Sequence, residues 1–320
     1  MKVLMLAPLQ EEDYQYIKSA LPEVTWIYAS RKTVTQDMID HCDVIVGNPG
    51  TRFCLNQEHI QALLLHSAGS EAYVQEGILH PHTKLANASG TFGKAIAEHV
   101  IGMILCLNKN IHHYVQNKEQ KLWKMESCGK ELFHQTVLIV GLGDLGSELA
   151  KRLKAFDCHI IAIKRTFSKK PSYVDELYTA DQLEQVLPKA DFIVSTLPQT
   201  KETIHLFNKQ KFMLMKKDAL FVNVGRGSAI KTDDLIEVLK MGHLYGAALD
   251  VFEEEPLPQE SELWDFDNVI ITPHCSGGYQ WESARLYYRE LVVRNIKHLL
   301  HHERLENEVN FELGYRKGVK

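Results

Sequence analysis

Short runs of apolar residues alternate along this chain with longer stretches in which apolar positions recur every three or four residues. The short runs predict buried β-strands over 2–7, 24–28, 44–47 and 63–66. A second series follows over 136–140, 159–163, 192–196, 220–223, 244–248 and 269–271. The amphipathic stretches predict helices over 11–20, 92–117, 144–156, 181–187, 232–240 and 278–302. Strand and helix in alternation are the pattern of α/β units wound around a parallel sheet. No internal repeat is visible, but the two strand series imply two related α/β lobes. The long stretch 92–117 is expected to carry the chain from the first lobe to the second, and the last long helix to carry it back. Domains are therefore expected to be discontinuous: 1–95 with 285–320, and 96–284.

Composition changes this picture little and removes several classes of function. Of 320 residues, 45% are hydrophobic and 24% charged, so a sizeable core is available and no tract is biased toward disorder. A net charge of −5 supplies no chain-wide basic field for nucleic acid or anionic lipid. The six cysteines (42, 54, 106, 128, 158 and 275) contain no Cys-x-x-Cys pair, which fits reduced thiols in a cytoplasmic protein better than zinc ligands or disulfides. Val3-Leu4-Met5-Leu6-Ala7 is too short for a signal-peptide core, and Glu11, Glu12 and Asp13 follow at once. The longest apolar stretch, from Val100 to Leu107, is far short of a membrane span.

Chemistry enters at Gly141-Leu142-Gly143-Asp144-Leu145-Gly146, which follows the predicted strand 136–140 and opens the predicted helix 144–156. A G-x-G-x-x-G turn is a weak signal alone but a specific one between a strand and a helix. Gly141 allows the tight turn, Gly143 lets backbone approach a pyrophosphate, and Gly146 lets helix and strand pack. The helix N-terminus then offers N–H groups to the anion. An NAD site usually carries an acid about 20 residues on, to bind the ribose 2′-hydroxyl. Here the next strand ends in Lys164-Arg165-Thr166, with Lys169 and Lys170 behind. Arg165 is suited to gripping a 2′-phosphate bidentately and Lys164 to neutralising it, so the reading favours NADP over NAD as cofactor. A solvated basic loop is the plainer alternative.

Three later segments each place polar residues just past a predicted strand, the edge at which open α/β sheets bind ligands. They are Asn223-Val224-Gly225-Arg226-Gly227-Ser228, Asp250-Val251-Phe252-Glu253-Glu254-Glu255-Pro256, and Thr272-Pro273-His274-Cys275-Ser276-Gly277. Separately each could be a structural turn or a solvated acidic run.

Together these segments resemble the D-isomer-specific 2-hydroxyacid dehydrogenase family, which includes glyoxylate/hydroxypyruvate reductases, D-lactate dehydrogenases and phosphoglycerate dehydrogenases. The resemblance extends to Asn87-Ala88-Ser89-Gly90, to the stretch from Ala97 to Leu105, to Ser195-Thr196-Leu197-Pro198-Gln199-Thr200, and to Asn307-Glu308-Val309-Asn310 with Gly314 and Tyr315. It implies two Rossmann-like doubly wound lobes with parallel sheets and an active site in the cleft between them. It implies an NAD(P)-dependent enzyme interconverting small 2-keto acids and D-2-hydroxy acids, with a glyoxylate/hydroxypyruvate reductase as the favoured member. The fork of Arg226 suits a carboxylate with an adjacent carbonyl, and His274 suits proton donation to that carbonyl as hydride reaches C2. The family's catalytic carboxylate directly precedes proline, which selects Glu255 as the partner of His274. Ser67-Ala68-Gly69-Ser70 matches the loop whose N–H groups hold the substrate carboxylate, although Ser70-Glu71 departs from the family's usual aliphatic-aspartate continuation. Asp250 resembles the residue that binds the nicotinamide amide. Thr196, Leu197, Pro198, Val224, Gly225, Ser276 and Gly277 resemble cofactor contacts. The resemblance also implies a homodimer, with 118–130 as a contact, and closure of the cleft during turnover.

Sixteen histidines, among them His298, His301 and His302 at helical spacing and the adjacent pair His112-His113, invite a metal reading. Without acidic or cysteine ligands at matching spacing they read as surface histidines, and no metal is expected. Cys275 has no identified base, which argues against a nucleophile. A non-catalytic dinucleotide sensor or corepressor on the same fold is the alternative function. Such a protein would gain little from an intact Arg226–Glu255–His274 set. Formate dehydrogenase, a relative with glutamine at the glutamate position, is disfavoured by Glu255.

Overall fold

The computed structural model of the protein describes residues 1–55, 57–126, 129–312 and 315–316. Gly314 and Cys128, which entered the sequence reading, lie outside the described residues. The chain divides into two compact units, Met1–Phe92 with Gly278–Lys320, and Gly93–Gly277.

The first unit is built on five parallel strands: β1 (Lys2–Met5), β2 (Thr25–Tyr28), β3 (Val44–Val46), β4 (Ala62–Leu64) and β5 (Lys84–Ala86), in the order β2-β1-β3-β4-β5. Successive strand residues point to opposite faces. Val3, Met5, Val44, Val46, Ala62 and Leu64 therefore pack in one cluster, and Leu4, Ile45 and Leu63 in another. Helix α1 (Glu11–Ala20) and the C-terminal helix α9 (Glu282–Leu300) cover the first of these faces. The five-residue helix α2 (Gln36–Asp40) was not foreseen; Thr35 caps it by accepting from Met38 N–H. β5 was also missed, because Lys-Leu-Ala is only three residues long and edges the sheet.

The second unit carries seven parallel strands: β6 (Thr136–Val140), β7 (His159–Lys164), β8 (Glu176–Thr179), β9 (Phe192–Ser195), β10 (Leu220–Asn223), β11 (Gly246–Leu249) and β12 (Val269–Ile271). Their order is β12-β11-β10-β9-β6-β7-β8, so the winding direction reverses between β6 and β9. The central strands β9, β10 and β11 are buried at every position, which is why they read as unbroken apolar runs. Leu138, Ile161, Ile193 and Phe221 face one core, and Val137, Ile160, Val194 and Val222 the other. Helices α5 (Asp144–Leu153), α6 (Leu183–Val186), α7 (Lys209–Leu214) and α8 (Thr232–Lys240) connect the strands. β13 (Val309–Asn310) and β14 (Tyr315–Arg316) pair near the C-terminus.

The single helix expected over 92–117 is two helices, α3 (Gly93–Asn108) and α4 (Ile111–Glu119). Asn110 between them has φ 53°, a left-handed conformation that asparagine tolerates better than most residues. The apolar spacing runs on past this break, but Ile111, Tyr114 and Val115 are exposed rather than core. The helix expected over 181–187 keeps only one α-helical turn, flanked by 3-10 turns at Ala180–Gln182 and Leu187–Lys189, with Pro188 in the second. Helix α7 and the edge strand β8 were missed. The strand is half-buried throughout and mixes Glu and Thr with Leu and Tyr.

Candidate active site

β6 runs directly into the glycine turn. Gly141 has φ +112°, and a Cβ there would lie 2.7 Å from the Thr196 hydroxyl, which donates to Gly141 O at 2.6 Å. A Cβ on Gly146 would overlap the Gly141 carbonyl, so only glycine lets α5 sit this close to the turn. Around the position a Gly143 Cβ would take, nothing lies within 4 Å, and the N-cap of α5 has no side-chain capping bond. The result is an open space facing the first N–H groups of a ten-residue helix, at the point where the sheet reverses its winding. That cradle suits a dinucleotide pyrophosphate by charge, donor type and room. The Asp144 carboxylate fills the space left by Gly93, which has no Cβ, and Leu145 packs on the core. Lys164 closes β7 and donates to Ser168 Oγ at 3.3 Å, while Arg165 and Thr166 beyond it are exposed.

Four loops follow in turn at the carboxyl ends of β9, β10, β11 and β12. Thr196, Leu197 and Pro198 leave β9, and Val224, Gly225 and Arg226 leave β10. A Cβ on Gly225 would lie 2.6 Å from Leu197 N, and one on Gly227 would overlap the Phe252 carbonyl. The absence of those side chains lets the loop bearing Arg226 pack between its two neighbours. Asn223, fully buried at the end of β10, ties the turn: its Nδ2 donates to Arg226 O at 3.0 Å, and its Oδ1 accepts from Gly225 N–H at 3.2 Å. Arg226 itself donates from Nη1 to Gly225 O at 3.0 Å. Asn223 was not singled out from sequence, although an amide immediately before a Gly-Arg-Gly turn is a residue type that bonds its own local backbone.

His274 and Glu255 meet on the next two loops, with Nδ1 of the imidazole 2.7 Å from Glu255 Oε2. The other carboxylate oxygen accepts from Phe252 N–H at 3.0 Å, which fixes the carboxylate from below. With half of the imidazole and 36% of the carboxylate side chain exposed, such a pair adds little stability. Its effect is orientation: Nδ1 carries the proton toward Glu255 and Nε2 is turned to solvent-accessible space. Glu253 is occupied elsewhere, binding His205 Nε2 at 2.6 Å and accepting from Thr232 N–H at 2.6 Å at the start of α8.

His274 has φ +49°, costly for a residue with a Cβ unless its surroundings hold it. Asp250 does so. Its carbonyl accepts from His274 N–H at 2.9 Å, and its carboxylate accepts from Cys275 N–H at 3.0 Å, Ser276 N–H at 3.2 Å, Thr272 Oγ1 at 2.6 Å and the Ser276 hydroxyl. His99 on α3 completes the cluster, with Nε2 3.1 Å from Thr272 Oγ1. Because the threonine proton is directed to Asp250, His99 donates here. The sequence reading gave Asp250 to the cofactor and did not single out Thr272 or His99. Gly277 ends the unit just beyond Ser276.

In the first unit, Ser67, Ala68, Gly69 and Ser70 form the loop after β4. Four consecutive carbonyls there are tied back: His66 O to Tyr279 OH at 2.5 Å, Ser67 O to Ala88 N–H at 2.9 Å, Ala68 O to Asn87 Nδ2 at 2.8 Å, and Gly69 O to Ser67 Oγ at 2.7 Å. Among the described residues the N–H groups of Ala68 and Gly69 have no acceptor. The described residues hold no cluster of three or more metal-ligating side chains and no helix long and apolar enough to cross a membrane. The five described cysteines are unpaired thiols.

A parallel sheet wound in the order of the dinucleotide-binding fold, with a glycine cradle at its reversal and an Arg-His-Glu set on the same edge, defines a nucleotide-dependent oxidoreductase class. The model of the D-isomer specific 2-hydroxyacid dehydrogenase NAD binding domain matches residues 101–276, more than half of the chain. The chain belongs to that family and carries its NAD binding domain. The glyoxylate reductase of Pyrococcus furiosus is 37% identical over 224 residues, covering 66% of this chain and 64% of that relative's length. The structure of a D-isomer specific 2-hydroxyacid dehydrogenase family protein from Aeromonas salmonicida superposes with a TM-score of 0.88 at 30% identity, covering 97% of this chain and 99% of the other. An NADPH-dependent glyoxylate/hydroxypyruvate reductase from Sinorhizobium meliloti, solved with NADP and sulfate, superposes with a TM-score of 0.83 at 26% identity, covering 98% and 99%.

Proposed function

We propose that the protein is an NADPH-preferring reductase of small 2-keto acids, with glyoxylate or hydroxypyruvate as substrate and the D-2-hydroxy acid as product. The observation that carries this reading is the 2.7 Å contact of His274 Nδ1 with Glu255, whose loop packs against the one that bears Arg226. Bound NADPH supplies the hydride. Arg226 binds the substrate carboxylate and steers its carbonyl, and the N–H groups of the 67–70 loop help to hold the carboxylate. His274 donates the Nε2 proton to the carbonyl oxygen as C2 is reduced, and Glu255 holds the ring in place. An imidazole held at Nδ1, with Nε2 left for the substrate, is the geometry this step needs.

The cofactor's pyrophosphate is assigned to the N–H groups at Gly143, Asp144, Leu145 and Gly146, with Gly141 shaping the turn. Lys164, Arg165 and Thr166 are assigned to the 2′-phosphate. Thr196, Leu197, Pro198, Val224, Gly225, Ser276 and Gly277 are assigned to the nicotinamide half, with Asp250 behind them. The exposed apolar side chains of α4 and the segment after it, Ile111, Tyr114, Val115, Leu122, Trp123 and Met125, support a homodimer through this unit. Unpaired thiols, three of the five described ones buried, are consistent with work in the cytoplasm.

Purified protein given NADPH or NADH with glyoxylate, hydroxypyruvate, pyruvate and longer 2-keto acids tests the reading. Oxidation of NADPH with the small acids is the expected result. Tight NADPH binding without turnover of any of them would instead favour a sensor.

A further inference from the structure

The loop assigned to the substrate carboxylate is held by a residue that neither the sequence motifs nor the family match brings forward. Asn48, in the loop after β3, forms a reciprocal pair with His66, at the end of β4. His66 N–H donates to Asn48 Oδ1 at 2.9 Å, and Asn48 N–H donates to His66 Nδ1 at 3.1 Å. The Asn48 side chain uses its remaining group as well, donating from Nδ2 to Ser67 Oγ at 2.9 Å, and Ser67 Oγ passes its own proton to Gly69 O at 2.7 Å. A single asparagine therefore fixes a relay ending at the Gly69 carbonyl, directly after the two unpaired amides of the loop.

We infer that Asn48 is a positioning residue, which with His66 locks the 67–70 loop so that the Ala68 and Gly69 N–H groups are presented to an incoming carboxylate. The inference rests on the reading of that loop under the proposed function and adds the device that orders it. The logic is that of a preformed anion cradle. When every carbonyl of a short loop is bound on one side, the amides are left for the other side, and no reorganisation is needed when the anion arrives. His66 must be neutral for the pair to form, since Nδ1 accepts. Its burial and the nearby Arg31 push its pKa down to about 4, so the lock is closed at neutral pH. Tyr279, which donates to His66 O and packs edge-on against the ring, anchors the pair from the segment just before α9. Asn87 performs the same service for Ala68 O and is itself bonded to Ser89 N–H at 3.1 Å.

The test compares Asn48→Ala, Asn48→Asp and Ser67→Ala in the full-length protein. Asn48→Asp keeps the acceptor for His66 N–H and loses the donor to Ser67, and Ser67→Ala removes only the relay. Two readouts are taken: hydrogen exchange on peptides spanning 65–70 with and without oxamate, and KM for the keto acid beside the dissociation constant of NADPH. Asn48→Ala is expected to speed exchange at the His66 amide and to abolish oxamate protection of the loop. Its keto-acid KM should rise about tenfold, with NADPH affinity held within about twofold. The two milder variants should fall between it and the wild type. Loss of thermal stability with KM and oxamate protection unchanged would overturn the positioning role, leaving Asn48 merely structural. A wild type that shows oxamate protection, lost in Asn48→Ala, yet reduces no 2-keto acid would sink the proposed function and leave the lock standing.

Discussion

Replacing Asp250 with alanine should be among the most damaging single changes available outside the large core side chains. The carboxylate is fully buried and accepts from two backbone N–H groups and two hydroxyls of the loop that carries His274. Both hydroxyls can rotate toward other acceptors or water, but the Cys275 and Ser276 N–H groups are fixed by the turn. Each buried donor left without a partner costs about 1–3 kcal/mol, so the two amides alone account for about 2–6 kcal/mol. Release of the strained backbone at His274 offsets part of this, because its left-handed φ of 49° relaxes once the loop is free. A net loss of about 3–4 kcal/mol is expected, at the upper end of single-site effects. Asp250→Asn keeps an acceptor for Thr272 and Cys275 but sets an NH2 group against the Ser276 donors, and about 2 kcal/mol is expected. Urea denaturation at neutral pH, with m unchanged between variants, measures both. An Asp250→Ala loss below about 1 kcal/mol would refute the claim that this carboxylate carries the loop.

Glu255→Gln should lower kcat/KM for the keto acid by about 100-fold or more while denaturation midpoints stay near wild type, since the pair with His274 is half-exposed and adds little stability; a large loss of stability with normal turnover would contradict its orienting role. Neutralising Lys164 and Arg165 together should raise KM for NADPH selectively, by about tenfold or more, and equal effects on NADPH and NADH would refute the 2′-phosphate assignment. His66 has a folded pKa near 4, below its unfolded value, so the unfolded chain binds the extra proton between about pH 6.5 and 4. Stability tied to His66 is therefore present above that window and falls as pH drops through it, by up to about 3 kcal/mol. The stability gap between wild type and His66→Gln should accordingly narrow from pH 7 to pH 4.5, and a constant gap would contradict the buried neutral imidazole. Trp123→Glu, altering a fully exposed indole, should shift the protein toward monomer in sedimentation velocity, and an unchanged mass distribution would exclude that face from a dimer contact.

The sheet of the second unit was legible because its central strands are buried on both faces and so appear as uninterrupted apolar runs. β6, β10 and β12 fall at the residues expected, and Glu11–Ala20 and Thr232–Lys240 are the helices that spacing indicates. What periodicity missed has physical causes. β5 is a three-residue edge strand and β8 an edge strand only half-buried and mixed in composition, and the apolar spacing of Ile111, Tyr114 and Val115 continues in phase past a left-handed asparagine just beyond α3. At the site, Arg226 and His274 are marked by their side-chain chemistry beside glycine and proline. Asn48, Thr272 and His99 carry no such mark, because their contribution is bonding to groups that come near them only in the fold. Among Glu253, Glu254 and Glu255, the place before proline pointed to Glu255, and the turn at Phe252 holds that carboxylate against the imidazole.

Under the proposed function, this edge of the sheet reduces a 2-keto acid at C2 by direct transfer from a bound nicotinamide. NADPH carrying deuterium at the transferred C4 position, incubated with the enzyme and glyoxylate or hydroxypyruvate, tests it in one NMR spectrum. One deuterium at C2 of the hydroxy acid product is expected, with D configuration where C2 is a stereocentre. Deuterium released to water, an L product, or NADPH left unconsumed beside a keto acid that binds would contradict it.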